Sequence, residues 1–216
     1  VDIAGLVKGA SEGAGLGNKF LSHIREVSII AHVVRAFEDE NIIKEGSIDP
    51  KSDFETIKTE LILADLEMLA KLKAAKKPSI LSSIDGKRRM ILDKIHDSLN
   101  RGIPVRNIGL SEEEKELIKG LFFLSSKPEI VVLNVAERDY GIDKFDEVYS
   151  RYTSISSVDE MAIVCAKIES DLSELSEVEQ KQYLTDLGVR ESGLERLIQK
   201  AYQTLGLISF LTCGEK

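Results

Sequence analysis

The first seventeen residues read Val1-Asp2-Ile3-Ala4-Gly5-Leu6-Val7-Lys8-Gly9-Ala10-Ser11-Glu12-Gly13-Ala14-Gly15-Leu16-Gly17, and they decide which fold the sequence predicts. Asp2 lies at the end of a predicted apolar strand, and Gly5 follows it in an Asp-x-x-Gly spacing. The loop that comes next contains four more glycines. An aspartate there is suited to hold a metal ion, and a glycine lets a backbone N–H approach a phosphate oxygen. The pattern indicates the metal- and γ-phosphate-sensing half of a nucleotide triphosphatase site, with an ordinary glycine-rich turn as the alternative.

The composition is that of an ordinary globular protein. Of the 216 residues, 43% are hydrophobic and 31% are charged, and the formal net charge is −8. This acidic balance argues against wholesale coating of nucleic acid, although a local basic patch is compatible with it. The two cysteines, Cys165 and Cys213, fit no metal-ligand spacing, which favours a reducing, cytoplasmic compartment. Because no apolar run reaches the ~18 residues of a membrane span, we expect no membrane partner.

Three mostly apolar, β-branched runs predict buried parallel strands. They cover residues 29–37, 129–135 and 160–166. Helical spacing of apolar residues lies between or after them, over 16–27, 142–152 and 193–205. Because buried strands alternate with helices, the predicted fold class is α/β with a doubly wound parallel sheet. His32 lies within the first run, and we expect it to be a core residue with satisfied polar atoms.

The segment from Pro50 to Leu124 interrupts this alternation, because it contains no strand candidate. Ser52 to Glu55 has the pattern of a capping box, and apolar residues three and four apart continue that helix to Lys76-Lys77-Pro78. A second helix is predicted over 85–100 with heptad-like spacing. The narrow apolar stripes favour an inserted antiparallel α-helical coiled-coil hairpin, and packing of both helices on the main core is the alternative. A capping box at Ser111 to Glu114 begins a helix that returns to the sheet.

Basic residues concentrate at the turn of this predicted hairpin. Between Lys71 and Lys94 there are eight basic residues, against only Asp85 and Asp93. A positive tip on an acidic chain indicates contact with a phosphate backbone, RNA above all, and nothing implies DNA. A solvated helix end is the alternative, since most charge runs are of that kind. The residues singled out for RNA or ribosome contact are Lys76, Lys77, Lys87, Arg88 and Arg89.

Polar residues follow the second and third predicted strands, where ligands bind in open α/β sheets. Asn134-Val135-Ala136-Glu137 follows one of them, and an asparagine amide is able to bond a purine edge. GTP-binding proteins carry Asn-Lys-x-Asp for this purpose, and the longer Glu137 should not reproduce the bidentate grip on guanine. A plain strand-end turn is the alternative. Cys165-Ala166-Lys167 follows the third strand, and Cys165 is expected to be a small buried residue rather than a nucleophile.

Several motifs together resemble the Obg-like ATPases of the YchF branch, and the resemblance runs nearly end to end. The motifs that carry it are Asp2 to Ser11, Gly15 to Leu21, His32 to Arg35, Asn41 to Ile43, Thr59 to Leu66 and Asn134 to Glu137. The resemblance implies a P-loop G domain with an inserted coiled coil, followed by a TGS domain. It assigns residues 1–50 and 125–206 to two parts of the G domain, 51–124 to the inserted arm and 207–216 to the start of the TGS domain.

The family implies hydrolysis of ATP in preference to GTP, with Mg²⁺, and association with the ribosome or translation factors. Asp2 and Gly5 match its metal and γ-phosphate element, and Leu6 matches the hydrophobic residue that replaces a catalytic glutamine. Because leucine cannot orient water by hydrogen bonding, another group or a monovalent cation such as K⁺ would be needed. The residues that match the altered base motif and the second base loop are Asn134, Val135, Glu137, Cys165 and Ala166.

Two features depart from the family pattern. The chain begins with Val1 and contains no Gly-x-x-x-x-Gly-Lys-Ser/Thr, so we expect a fragment or a processed product that hydrolyses no nucleotide alone. Lys44 stands where bacterial members often carry a histidine. A protonated lysine is a poor general base but can stabilise charge, and a solvated loop lysine is the alternative. A nucleotide-independent RNA- or ribosome-binding scaffold is our second hypothesis, and a true GTPase is the third.

Overall fold

The structure is a computed structural model, and it describes residues 16–38, 49–74 and 86–211. Within these ranges the helices are α1 (Leu16–Glu26), α2 (Pro50–Ala74), α3 (Gly86–Asn100), α4 (Glu112–Ile118), α5 (Phe145–Tyr152), α6 (Ala166–Ser173), α7 (Glu177–Asp186) and α8 (Gly193–Leu205). The strands are β1 (Ile30–Ala36), β2 (Glu129–Val135) and β3 (Met161–Val164). Contacts divide the chain into a helical unit, in 1–28 and 55–127, and a sheet unit, in 29–54 and 128–216.

The sheet unit is built on the three described strands, which are parallel and lie in the order β1–β2–β3. In the register, Ile30 lies opposite Glu129 and Val131 lies opposite Met161. The predicted runs and the α/β class with a parallel sheet are thereby confirmed. The third strand is shorter than expected, because α6 begins at Ala166 and Cys165 is its extended N-cap residue.

Both faces of β2 and β3 are covered by apolar contacts within the sheet unit, whereas Ala31 and Val33 of β1 are exposed. One face carries Val34, Leu133 and Ile163, which belong to a buried cluster with residues of α5, α6 and α7. The other face carries Ile130 and Val132, against which α8 packs. Because β2 is buried on both faces, its central residues 130–133 are all apolar rather than alternating with polar residues.

His32 of β1 is a buried core residue, as the sequence predicted. Its Nδ1 lies 3.1 Å from Oε1 of Glu129, which is also buried. The imidazole ring lies against Phe54, with the ring centroids 5.0 Å apart. The polar atoms of His32 are therefore satisfied inside the sheet unit, and no ligand is needed to explain its burial.

The helical unit has a core of its own. Its buried apolar members are Ile62, Leu69, Ile91, Leu92, Ile95, Leu99, Val105, Leu110, Ile118 and Phe123. As predicted, no described residue between 50 and 124 lies in a strand. The stripe expected along α2 is broader than predicted, because Glu60, Ile62 and Asp65 are buried in addition to its members Leu61 and Ala64. The buried surface of α2 is broad because α3, α4 and the segments beside them all contribute to one core.

The two predicted capping boxes have different outcomes. The box at α4 is confirmed: the Ser111 hydroxyl accepts the Glu114 N–H at 3.2 Å, and the Glu114 carboxylate accepts the Ser111 N–H at 2.8 Å. The box at Ser52 is wrong, because α2 begins at Pro50 and the Asp49 carboxylate accepts the Ser52 N–H at 3.1 Å. Proline has no N–H and a helical φ, so it suits the first helical position, and the cap is then the residue before it, Asp49, three residues upstream of Ser52.

Asp65 of α2 connects three parts of the helical unit through buried hydrogen bonds. Its carboxylate accepts the backbone N–H of Leu124 at 2.8 Å, and from Ser125 both the N–H at 2.9 Å and the hydroxyl at 2.6 Å. The Ser125 oxygen in turn accepts the Val105 N–H at 3.1 Å. Burial raises the pKa of Asp65, and the three donors oppose that rise.

Lys127 satisfies carbonyl groups at the C-terminus of α1. Its ammonium donates to the backbone oxygen of Arg25 at 3.1 Å and of Val27 at 2.5 Å. Carbonyls at a helix end lack partners within the helix and carry the negative end of its dipole, so a lysine is well matched to them. Burial lowers the pKa of Lys127. This contact fixes the end of α1 within the helical unit.

We expect Asp65→Ala to lower the free energy of unfolding by about 3 kcal/mol, because buried donors lose their acceptor. Urea denaturation of the 216-residue chain measures this change. Asp97→Ala is the matched control, since that side chain is 76% exposed on α3, and it should change stability by less than about 0.5 kcal/mol. Equal losses in the two variants would contradict the assigned role of Asp65.

Candidate functional site

Two loops of the sheet unit meet at the carboxyl ends of β2 and β3. Asn134 lies opposite Val164 in the parallel register. The Asn134 side-chain oxygen accepts the backbone N–H of Ala166 at 3.0 Å. The structure thus brings together the residues that the sequence singled out after these strands, at the sheet edge where parallel α/β folds bind ligands.

The Asn-x-x-Glu segment divides its side chains between the core and the surface. Val135 is buried in the sheet core, so its backbone rather than its side chain is available at the loop. Glu137 begins a 3-10 turn, Glu137–Asp139, and its side chain is 43% exposed. Val135 therefore does not replace the lysine of Asn-Lys-x-Asp as a surface group, whereas the Glu137 side chain is exposed at the loop.

Cys165 is a structural residue in the described fold. Its side chain is 1% exposed and lies in the core cluster of the sheet unit. Burial raises the pKa of its thiol, which keeps the sulfur in the poorly nucleophilic protonated form. The expectation of a small buried residue is met, and the role left to this position is that of the backbone that starts α6.

Lys167 belongs to the site, although sequence reasoning assigned it no role. Its ammonium lies 2.5 Å from a carboxylate oxygen of Glu137, which joins the loop after β2 to the first turn of α6. The hydrogen bond to Glu137 raises the pKa of Lys167, so the ammonium form is favoured. Its position could have indicated this, because Lys167 is the third residue of Cys165-Ala166-Lys167, the segment directly after the third strand.

Arg196 of α8 bonds to groups beside both loops. No pattern in the sequence indicated this role. Its guanidinium donates to the Tyr140 hydroxyl at 3.0 Å and to the Ile163 carbonyl at 3.1 Å. It also lies over the ring of Phe145, 4.6 Å from the centroid. One planar donor therefore links the segment after β2 with the end of β3.

A second contact fixes α6 relative to α8. The Glu169 carboxylate accepts the backbone N–H of Gly193 at 2.7 Å, at the first residue of α8. A Cβ atom at Gly193 would lie 3.1 Å from the Val164 backbone and 3.0 Å from Glu169, so glycine permits this close approach. The start of α6, which carries Ala166 and Lys167, is thereby held in place.

The remaining predicted site residues fall into two groups. Lys87, Arg88 and Arg89 form the first turn of α3 in the helical unit, with Lys87 and Arg89 exposed. The residues that lie outside the described part of the chain are Asp2, Gly5, Leu6, Lys44, Lys76 and Lys77.

Among the described residues there is no cluster of three histidine, cysteine or acidic side chains able to hold a metal. No helix in the described ranges has the length and apolarity that crossing a bilayer demands.

Other basic residues of the predicted tip are ion-paired with acids. Lys71 lies 2.7 Å from Glu67, and Lys73 lies 3.4 Å from Asp93 of α3. These pairs are exposed, so they add little stability, but they reduce the positive charge that the tip presents. The positive charge that the described residues of the tip present is therefore smaller than the sequence count suggests.

No protein-family model matches the chain. The chain is 43% identical over 222 residues to a Bacillus subtilis protein named ribosome-binding ATPase YchF, and 40% identical over 223 residues to the protein of that name from Escherichia coli O157:H7. Both alignments cover the whole chain and 60% of the relative, so the chain spans 60% of the length of these curated relatives. The solved structure of the Schizosaccharomyces pombe YchF GTPase is similar with a TM-score of 0.77 and 34% identity, over 98% of this chain and 59% of that one. This similarity supports the P-loop NTPase-like fold expected from the sequence.

We expect the Cys165 thiol to be unreactive in the folded protein. In a Cys213→Ser variant, which leaves one thiol, DTNB at pH 8 should react at least ~100-fold more slowly with the native chain than with the urea-unfolded chain. Burial and the raised pKa both act in this direction. A native rate close to the unfolded rate would show that Cys165 is an accessible thiolate.

Proposed function

We propose that this chain, which belongs to the YchF family of Obg-like P-loop NTPases, contributes base recognition and a helical insertion to a nucleotide triphosphatase that works with the ribosome. The observation that carries the proposal is the contact between Asn134 and Ala166, which joins two loops at the ligand-binding edge of a parallel sheet. The relatives from Bacillus subtilis and Escherichia coli are named ribosome-binding ATPases, which supports the ribosome as partner and the cytoplasm as location.

We propose ATP in preference to GTP as the substrate. The Asn134 amide has two N–H bonds, and N7 of either purine is an acceptor of the kind that it could bond. Selection against guanine then depends on the acidic residue of the motif, which in GTP-binding proteins is an aspartate and here is Glu137. The extra methylene moves the carboxylate, and its hydrogen bond to Lys167 engages one of the oxygens.

The phosphate half of the site is proposed from residues outside the described part of the chain. Asp2 offers a carboxylate oxygen, the donor type that Mg²⁺ prefers, and Mg²⁺ would neutralise charge on the phosphates. Gly5 would bring a backbone N–H to the γ-phosphate. Leu6 cannot orient water, so Lys44 or a monovalent cation such as K⁺ would supply charge stabilisation.

A second function, nucleotide-independent binding of RNA or the ribosome, is favoured by the exposed basic residues at the start of α3. Lys87, Arg88 and Arg89 add three positive charges to a helix N-terminus whose first turn contains no acid. The positive end of the helix dipole adds to them, so the local potential suits phosphate groups. This surface serves a ribosome-bound NTPase equally well, and dependence on nucleotide separates the two functions.

We expect the 216-residue chain by itself to bind ATP weakly and to release no phosphate above background. The sequence contains no Gly-x-x-x-x-Gly-Lys-Ser/Thr, and that loop supplies most of the positioning and charge in phosphoryl transfer. A phosphate-release assay with ATP, GTP and Mg²⁺ measures this, with the full-length Bacillus subtilis relative as the positive control. Steady release that depends on the concentration of this chain would contradict the expectation.

We expect the double variant Lys87→Glu/Arg89→Glu to bind ribosomes about tenfold more weakly than the unaltered chain at about 0.1 M salt, because phosphate contacts are lost. Cosedimentation with ribosomes measures the affinity. Lys181→Glu/Arg190→Glu makes the same charge change at exposed positions of the sheet unit and is the matched control. Similar losses in both variants would show that only net charge matters. In the longest natural polypeptide that contains this sequence, ribosome binding that ATP does not alter would favour the scaffold function.

A further inference from the structure

The contact between Lys167 and Glu137 lies at the surface of the candidate base site. The Lys167 side chain is 67% exposed and the Glu137 side chain is 43% exposed. An ion pair with that exposure adds little to folding stability, because water screens it and both side chains must be ordered. The fold therefore does not need the pair, and its position between the two base loops suggests a role toward a ligand.

The two purines present different groups to the acidic residue of an Asn-x-x-acid motif. On its Watson–Crick edge guanine presents two donors, N1–H and the N2 amino group, which a carboxylate with both oxygens free can accept together. Adenine presents the acceptor N1 beside the N6 amino donor. A carboxylate already bound to an ammonium group has lost part of its accepting capacity, and the ammonium offers only donors. The pair therefore opposes acceptance of the two guanine donors. The ammonium itself can donate to adenine N1 or to guanine O6, so the discrimination comes from the carboxylate that the lysine engages.

We propose that Lys167 is a specificity-determining residue: by holding Glu137 in an ion pair, it withdraws the carboxylate from guanine and favours ATP over GTP. This inference rests on the proposed function, because it requires a purine base between these two loops. It goes further by assigning the discrimination to a residue outside the Asn-x-x-Glu motif.

The surrounding contacts hold both members of the pair in place. Lys167 follows Ala166, whose N–H is bonded to Asn134, and the same turn of α6 is fixed by the bond between Glu169 and Gly193. Glu137 begins a 3-10 turn that ends at Asp139, one residue before Tyr140, whose hydroxyl accepts a hydrogen bond from Arg196. Each member of the pair therefore lies on a backbone segment that other hydrogen bonds hold in place. Replacing Lys167 alone should free the Glu137 carboxylate from the ion pair without moving either segment.

The charged groups near the pair leave the lysine as the ammonium partner of Glu137. The hydrogen bond and charge of Glu137 raise the pKa of Lys167, and Asp171 acts in the same direction. Arg138, the residue after Glu137, lies 3.7 Å from Asp139 and so has its own acidic neighbour. The raised pKa of Lys167, to which Tyr183 also contributes, keeps its ammonium form at neutral pH.

The test compares the dissociation constants of fluorescent ATP and GTP analogues, with Mg²⁺, for the longest natural polypeptide that contains this sequence. Lys167→Gln should lower the ratio of the GTP constant to the ATP constant about fivefold, because the freed carboxylate accepts guanine donors. Lys167→Arg keeps the ion pair and should retain the original ratio. Lys181→Gln, at an exposed lysine of α7, is the control and should change neither constant.

A double variant identifies the group through which Lys167 acts. Adding Glu137→Gln to Lys167→Gln removes the charged acceptor, so the gain in relative GTP affinity should disappear. An unchanged ratio in Lys167→Gln, with both analogues still bound, would overturn the inference and leave the proposed function standing. Failure of the unaltered polypeptide to bind either analogue would overturn both.

Discussion

The parallel pairing of β2 with β3 is the constraint on which the candidate site depends. Parallel strands end at the same edge of a sheet, so the residues that follow each strand must lie near one another. The register places Asn134 opposite Val164, and the side-chain oxygen of Asn134 accepts the first N–H of α6, from Ala166, two residues beyond Val164. A different register would move Asn134 away from Ala166 and separate the two loops. The pairing of the strands therefore determines which residues can meet at the candidate site.

The helical unit is organised by a buried acid rather than by a helix seam. Asp65 accepts donors from Leu124 and Ser125, and Ser125 accepts from Val105, so one carboxylate orders a segment that would otherwise leave buried N–H groups unpaired. Burial makes the charged form costly, and the convergence of three donors offsets that cost. These hydrogen bonds require Asp65 to lie next to Leu124 and Ser125, so they specify how α2 packs against that segment of the helical unit.

Local sequence patterns predicted the helices and strands well, but they could not predict contacts between residues far apart in the sequence. The strands could be predicted because β-branched runs bounded by turns have few alternatives, and the Ser111 box because both of its bonds lie within four residues. The Ser52 box failed because two adjacent sequences could cap α2 and the fixed φ of Pro50 decided between them. Asp65 and Arg196 could not be assigned roles from the sequence, since their partners lie 59 and 33 or more residues away. Lys167 was within reach, because its position after a strand pointed to the same edge as Asn134.

In the proposed base site, the residues that hold the loops differ from those proposed to discriminate between the purines. Arg196 and Glu169 lie beneath the loops and bond groups that the fold itself must satisfy, namely the Ile163 carbonyl and the Gly193 N–H, so their loss would disturb the framework. Lys167 and Glu137 lie above that framework and are exposed, so they are nearly neutral for stability. Selectivity that depends on an exposed pair can change through one substitution without a cost in folding. This division explains how one scaffold can be tuned toward either purine, and it is consistent with a family whose members are named both as ATPases and as a GTPase.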